Sequence, residues 1–273
     1  YNYDSVLLGA CFLLTAYLLY LAYDEKKEKI TGKDIVVVGI LLLVIVPIKF
    51  VYLPLLGIGL LIPKEKFGGI RQKVIFGGGM LGIGVAAMLL TKLPKMLVAA
   101  GGTSSAGNTT QTYSLAMCIK NPLHIFAVFF ETIRQNLGIY FTGMIGDKLG
   151  WVEIEVPGIL IIGYVILMIL VVIQSEKRMH LWKKWERIWL VCLVGMIFLI
   201  VCAGLMLDYT PSISSTILGI QGRYFLPICI PLLLCCQNSV IVSKRSLDSV
   251  VIGSVMVLQA FIALNVMITV MIR

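Results

Sequence analysis

Residues 35–62 read IVVVGILLLVIVPIKFVYLPLLGIGLLI, an apolar stretch interrupted by Pro47, Lys49 and Pro54. As one straight helix at 1.5 Å per residue it would be roughly 42 Å long, well beyond a hydrocarbon core about 30 Å thick. Each proline also removes a backbone donor, and Lys49 places an ammonium near the middle of the run. Two short spans that meet near Lys49 fit these residues better than one long span. The expectation is a hairpin with Lys49 at its tip.

Working outward, five more runs are long and apolar enough to cross a bilayer: 5–23, 74–93, 156–174, 188–207 and 250–272. A sixth, 224–242, contains Pro227 and Pro231, and neighbouring helices can satisfy the backbone groups that proline frees. The composition agrees, with 59% hydrophobic and 14% charged residues and a mean hydropathy of +0.97. Soluble domains run at about 45–50% apolar and about 25% charged. Backbone polar groups in hydrocarbon must pair internally, and the runs lack the two-residue alternation of membrane β-strands. The fold class is therefore all-α, a polytopic integral membrane protein of about eight transmembrane helices. The chain opens on Tyr1 without a basic leader, and it reads as a piece of a longer protein.

The formal charge of +9 raises nucleic acid as a partner, but Lys and Arg cluster in short connectors rather than along one basic face. The partner expected is the lipid bilayer, not nucleic acid. With a hairpin at Lys49, the connectors 24–34, 63–73, 175–187 and 243–249 all fall on one side. They hold Lys26, Lys27, Lys29, Lys33, Lys64, Lys66, Arg71, Lys73, Lys177, Arg178, Lys183, Lys184, Arg187, Lys244 and Arg245. Short basic loops stay cytoplasmic, which puts both chain ends outside. Three regions follow: N-terminal membrane helices over 1–93, an extracytoplasmic loop over 94–155, and C-terminal membrane helices over 156–273.

Within that loop, Asn121 suits an N-cap and Pro122 the first helical position. Leu123, Phe126, Phe130, Ile133, Leu137 and Phe141 recur at helical spacing, with His124, Glu131 and Gln135 roughly opposite. This is the pattern of a helix lying on a membrane surface. Residues 101–111 are rich in Gly, Ser and Thr, and Asn108-Thr109-Thr110 matches a glycosylation sequon. In the run Gly77, Gly78, Gly79, Gly82 and Gly84, the spacing of Gly78 and Gly82 suits close helix packing in lipid.

Little in the sequence offers chemistry. The seven cysteines show no disulfide or zinc spacing, the two histidines have no ligand set, and no metal site is visible. A divalent metal is the one cofactor a transferase reading leaves open. The carboxylates on the outer side are Asp4, Glu131, Asp147, Glu153, Glu155 and Asp208, with solvated loop charge as the default reading for each. Asp208, which ends a span, and Glu131, on the surface helix, are the better candidates for a general base. The densest signal is Gln221-Gly222-Arg223-Tyr224-Phe225-Leu226-Pro227 at the mouth of a span. A guanidinium there needs an anion, and its planar fork suits phosphate. Gly222 would let backbone approach that anion, and Tyr224 suits the headgroup level. Lys49 is a second outward cation for a lipid phosphate. The alternative for Arg223 is a plain interfacial anchor.

The stretch 221–227 leading into an apolar span, preceded by Asp208, Thr210 and Pro211, resembles the C-terminal signature of the bacterial domain-of-unknown-function 2142 family (DUF2142). The likeness extends through Asn121, Pro122, the helix to Phe141, Gly150, Trp151 and Pro157, and takes in the hairpin with Lys66 and Phe67. The resemblance implies kinship with polytopic glycosyltransferases of the GT-C type, which use polyprenyl-phosphate-linked sugars in cell-envelope assembly at the plasma membrane. It would make this chain the C-terminal half, because the catalytic Asp of such enzymes follows their first span and no acid-bearing long loop does so here. Two other readings stay open: a transporter or flippase of lipid-linked glycans, and a non-catalytic membrane partner of an envelope-synthesis complex.

Overall fold

The structure, a computed structural model, describes residues 3–101, 112–149, 154–175, 182–237, 241–244 and 246–272. The sequon at Asn108, most of the Gly/Ser/Thr-rich loop, Gly150 and Trp151 lie outside the described residues. Among the described residues the chain is mostly helical, with α1 (Tyr3–Tyr23), α2 (Gly32–Ile48), α3 (Ile70–Gly101), α4 (Leu115–Lys120), α5 (Pro122–Ile145), α6 (Gly158–Val172), α7 (Lys184–Asp208), α8 (Cys229–Cys236) and α9 (Asp248–Ile272). Short 3-10 segments cover Phe50–Leu61, Lys64–Phe67 and Gly222–Ile228, and four two-residue strands are β1 (Lys148–Leu149), β2 (Ile154–Glu155), β3 (Gln174–Ser175) and β4 (Val242–Ser243). Tyr3–Tyr23, Ile70–Thr91, Lys184–Asp208 and Asp248–Ile272 are long and apolar enough to cross a membrane, while Phe50–Leu61, Gly158–Val172 and Gly222–Cys236 are apolar but shorter.

Two compact units emerge, Tyr1–Thr110 with Cys192–Ile200, and Gln111–Val191 with Val201–Arg273. In the first, the expected break near Lys49 is present. Pro47 sits in the last turn of α2, Lys49 is extended at φ −149° and ψ 98°, and the chain continues as 3-10 turns through Pro54. The polar contacts give the direction of each leg. Lys49 Nζ meets Asp4 Oδ1 at 2.9 Å, at the start of α1. Lys66 Nζ donates to the carbonyls of Leu21 and Asp24 at 3.0 and 2.9 Å, at the end of α1. The chain therefore travels back from Lys49 to the side it left. There, Ile30 N–H donates to Lys66 O at 2.8 Å and joins the basic connectors 24–34 and 63–73 at one end. Leu14, Leu18, Leu42, Ile45, Tyr52, Leu55 and Ile58 are fully buried between the legs.

The glycines of α3 do not behave as their spacing suggests. Gly78 and Gly82 have nothing within 4 Å of an added Cβ among the described residues, whereas one on Gly84 would lie 2.5 Å from Leu53 Cδ1. Gly84 is where the Leu53 side chain of the 3-10 leg packs on α3.

In the second unit α6 and α9 run antiparallel. Asn265 Nδ2 donates to Glu155 O at 3.1 Å near one end, and the parallel pairing Gln174↔Val242 and Ser175↔Ser243 joins the other. Trp182 Nε1 donates to Gln237 Oε1 at 3.0 Å, so the start of α7 and the end of α8 also meet. The run expected to span 224–242 is shorter than its apolar composition suggests. Pro227 and Pro231 withhold two donors, the first turns are 3-10, and the helix stops at Cys236 before an extended Gln237.

Candidate functional site

The second unit places the segment 221–227 against α5. Pro122 occupies the first turn of α5, as its fixed φ favours, and Asn121 holds the cap position without a side-chain hydrogen bond. Val128, Thr132, Tyr140 and Met144 form the buried face, while Leu123, Phe126, Phe130, Leu137 and Phe141 are exposed. The apolar stripe read from the sequence is thus the outward face, and a second stripe faces protein. Thr132 serves as a buried hinge pin: its Oγ1 donates to Val128 O at 2.6 Å and accepts from Ile217 N–H at 2.9 Å.

The segment after α7 is tied down at several points. Tyr113 N–H donates to Thr210 O at 3.2 Å, Tyr113 OH donates to Ser214 O at 2.9 Å, and the same hydroxyl lies 3.1 Å from His124 Nε2. Thr210 Oγ1 donates to Leu205 O at 3.1 Å and accepts from Leu218 N–H at 3.1 Å. His124 is thereby part of a structural tie.

The closest approach is between two glycines. A Cβ on Gly222 would overlap Gly143 C and Met144 N, so the room left by its missing side chain is taken up by the α5 backbone. No other residue fits there. The same contact brings in a carboxylate. A Cβ on Gly143 would lie 3.3 Å from Gly222 N and 3.7 Å from Asp147 Oδ1. Asp147 is oriented from behind by Thr142 Oγ1, which donates to its Oδ2 at 2.7 Å. Gly146, at φ +106°, turns the chain out of α5 in the left-handed conformation that glycine tolerates best.

Around this contact the other residues singled out by sequence take distinct places. Arg223 is exposed, its guanidinium carbon 5.8 Å from the Tyr224 ring centroid. Tyr224 and Gln221 are half-buried, and Gln221 Oε1 is buried with no hydrogen-bond partner among the described residues. Asp208 is exposed at the last position of α7. Glu131 is engaged on its own helix, accepting from Arg134 Nε at 2.9 Å and from the Gln135 side-chain amide. Those bonds hold its carboxyl down at about 2. Lys49 belongs to the first unit and pairs with Asp4. Asp147, which the sequence offers as ordinary loop charge, follows the helix-ending Gly146, and the tertiary contact between Gly143 and Gly222 brings it to this end of the unit.

Chemically, this end of the unit offers an exposed guanidinium, a phenol beside it and an oriented carboxylate. Among the described residues no three His, Cys, Asp or Glu side chains come together to hold a metal ion.

No curated protein and no solved structure matches the chain. The family model described as "Predicted membrane protein (DUF2142)" matches residues 1–233, from α1 through most of α8, leaving β4 and α9 beyond the matched region. With that match over most of its length, and with its long apolar helices, the chain belongs to the DUF2142 family of membrane proteins.

Proposed function

We propose that the chain is part of a glycosyltransferase-like membrane protein that uses a polyprenyl-phosphate-linked sugar in envelope glycan assembly. It crosses the plasma membrane of a bacterium eight times, with the hairpin at Lys49, the loop 94–155 outside and the basic connectors inside. Two observations support the topology. The connectors 24–34 and 63–73 meet at one end of the first unit, and the strands leading into 175–187 and 243–249 pair at one end of the second. Arg223 lies at the other end of the second unit, with Glu155 and Asp208.

The observation that carries the functional reading is the Gly143·Gly222 contact. It fixes the backbone next to an exposed arginine, beside an oriented carboxylate. Arg223 would grip the donor phosphate with its planar fork and stabilise charge on the leaving phosphate. Gln221 and Tyr224 flank it, Gly222 sets its position, and Lys49 is the weaker candidate for a lipid phosphate because Asp4 already pairs with it. Asp147 and Asp208 are the candidate bases for the acceptor hydroxyl, and Glu131 is the weaker one because Arg134 already engages it.

The test is binding of polyprenyl monophosphate to the protein in nanodiscs, read by native mass spectrometry. Charge-assisted hydrogen bonds contribute about 1.5–3 kcal/mol, so Arg223→Ala should weaken retention by roughly tenfold or more, and Arg223→Lys should restore only part of it. Equal retention by Arg223→Ala would identify Arg223 as an interfacial anchor. The topology is tested separately by labelling Cys118 as the single cysteine. It should react from outside without opening the inner face.

A further inference from the structure

The second unit also contains a groove that this reading does not use. α6 and α9 touch where a Cβ on Gly163 would come 3.1 Å from Leu258 Cδ2. Between Gly163 and Leu170 of α6 and Ser249 and Leu258 of α9, an open groove of 570 Å³ lies between the helices. Its walls are hydrocarbon, chiefly Ile166, Leu167 and Leu170 of α6 with Val250 and Val257 of α9, and Gly253 leaves its middle open.

Charge selects the occupant. From Ser249 to Val257 the groove follows about 12 Å of helix, and in a bilayer an apolar groove open along its side is filled by a hydrocarbon chain. At the end of the helix pair joined by β3 and β4, Lys244 directly follows the β4 residue Ser243 and is exposed. Lys183, Lys184 and Arg187 begin α7, which Trp182 ties to Gln237 at that same end. The described acids there are Asp248, in the first turn of α9, and Glu186, whose carboxylate accepts from Lys183 N–H at 2.8 Å. The balance favours an anion.

We propose that this groove seats an acyl chain of an anionic phospholipid whose phosphate meets Lys244, in the leaflet opposite Arg223. The proposal rests on α6 and α9 as membrane spans. It is tested on the full chain, purified in mild detergent, stripped of lipid, and incubated with phosphatidylglycerol or phosphatidylcholine before native mass spectrometry. The wild type should retain one phosphatidylglycerol and prefer it about fivefold over phosphatidylcholine, the effect expected of one lysine near an anionic headgroup. Lys244→Glu should abolish that preference. Gly253 has nothing within 4 Å of an added Cβ, so Gly253→Leu should fill the groove, abolish retention and leave the unfolding temperature unchanged. Three results overturn the proposal: undiminished retention in Gly253→Leu, a wild type that retains no lipid, or a wild-type dimer that Gly253→Leu dissociates, which would make a second copy the occupant. The span reading fails on its own if Cys236 and Cys118, as single cysteines, label from the same face.

Discussion

In the first unit, Lys49 meets Asp4, Lys27 meets Asp34 at 2.8 Å, and Lys66 and Lys73 donate to carbonyls that end helical segments. In the second, Arg223 stays exposed against Tyr224. The difference teaches how two kinds of cation are used at helix ends. The last carbonyls of a helix lack intrahelical donors, and in or near hydrocarbon that deficit must be met by protein. A lysine with three rotatable donors can meet two carbonyls at once, as Lys73 does for Leu60 and Ile62. A guanidinium fork matches a planar pair of acceptors such as phosphate. Charge in the first unit closes the fold, and the charge of Arg223 in the second stays exposed.

The largest expected effect falls on Asp34, which is 3% exposed. Burial alone would raise its pKa, but bonds from Lys27, the Thr31 N–H and hydroxyl, and Tyr17 hold it well below the ordinary carboxylate range. Asp34→Asn should cost about 3–5 kcal/mol, as removal of one partner from a buried pair does, measured by denaturant unfolding in detergent. Because the folded pKa is the lower one, this contribution is present above the unfolded carboxylate pKa and lost as pH falls through the folded value. The wild type should therefore keep it from neutral pH down to about 5. A cost below that range would mean the first unit is not closed by its charges.

Gly222→Ala tests the other side of the comparison. Its methyl group would meet the α5 backbone, so a loss of about 1–3 kcal/mol is expected. Polyprenyl phosphate retention should fall with it, because Arg223 shifts. Gly143→Ala should be milder, its nearest contacts being 3.3 Å away. Lys66→Met should cost about 1 kcal/mol, since two carbonyl bonds are lost while an ammonium no longer has to be desolvated. Arg134→Ala, at an exposed ion pair, should leave the unfolding midpoint unchanged.

Much of the helix layout is legible in the residues themselves. Pro47, Lys49 and Pro54 announce the break, Pro122 marks the start of α5, and the apolar runs locate α1, α6, α7 and α9 to within a few residues. The 3-10 winding after Lys49 is not legible, because it depends on how Pro54 and the buried Tyr52 and Leu55 pack between α1 and α2. The early stop at Cys236 does carry a signal, the polar Gln237, Asn238 and Ser239, which the apolar Val240, Ile241 and Val242 beyond them mask when the run is read as one span. The contacts of Gly84 and Gly222 arise from tertiary approach, which spacing along one helix does not encode. For the same reason the spacing does not show Asp147 near Gly222, while Glu131, better placed by periodicity, is engaged by Arg134.

The 3-10 leg also sets a thickness. Twelve residues at about 2.0 Å each cover about 24 Å, close to the ~25 Å of the 17-residue α2 and to the similar distance along α1 from Asp4 to Leu21. All three legs are clamped between the Asp4–Lys49 pair and the Lys66 and Lys73 caps, so none can lengthen alone. On the proposed topology, a bilayer with a hydrocarbon core of about 30 Å would thin by several ångströms beside these legs. Mismatch of that kind would draw shorter-chain lipids to them and make insertion sensitive to membrane thickness, independently of any substrate.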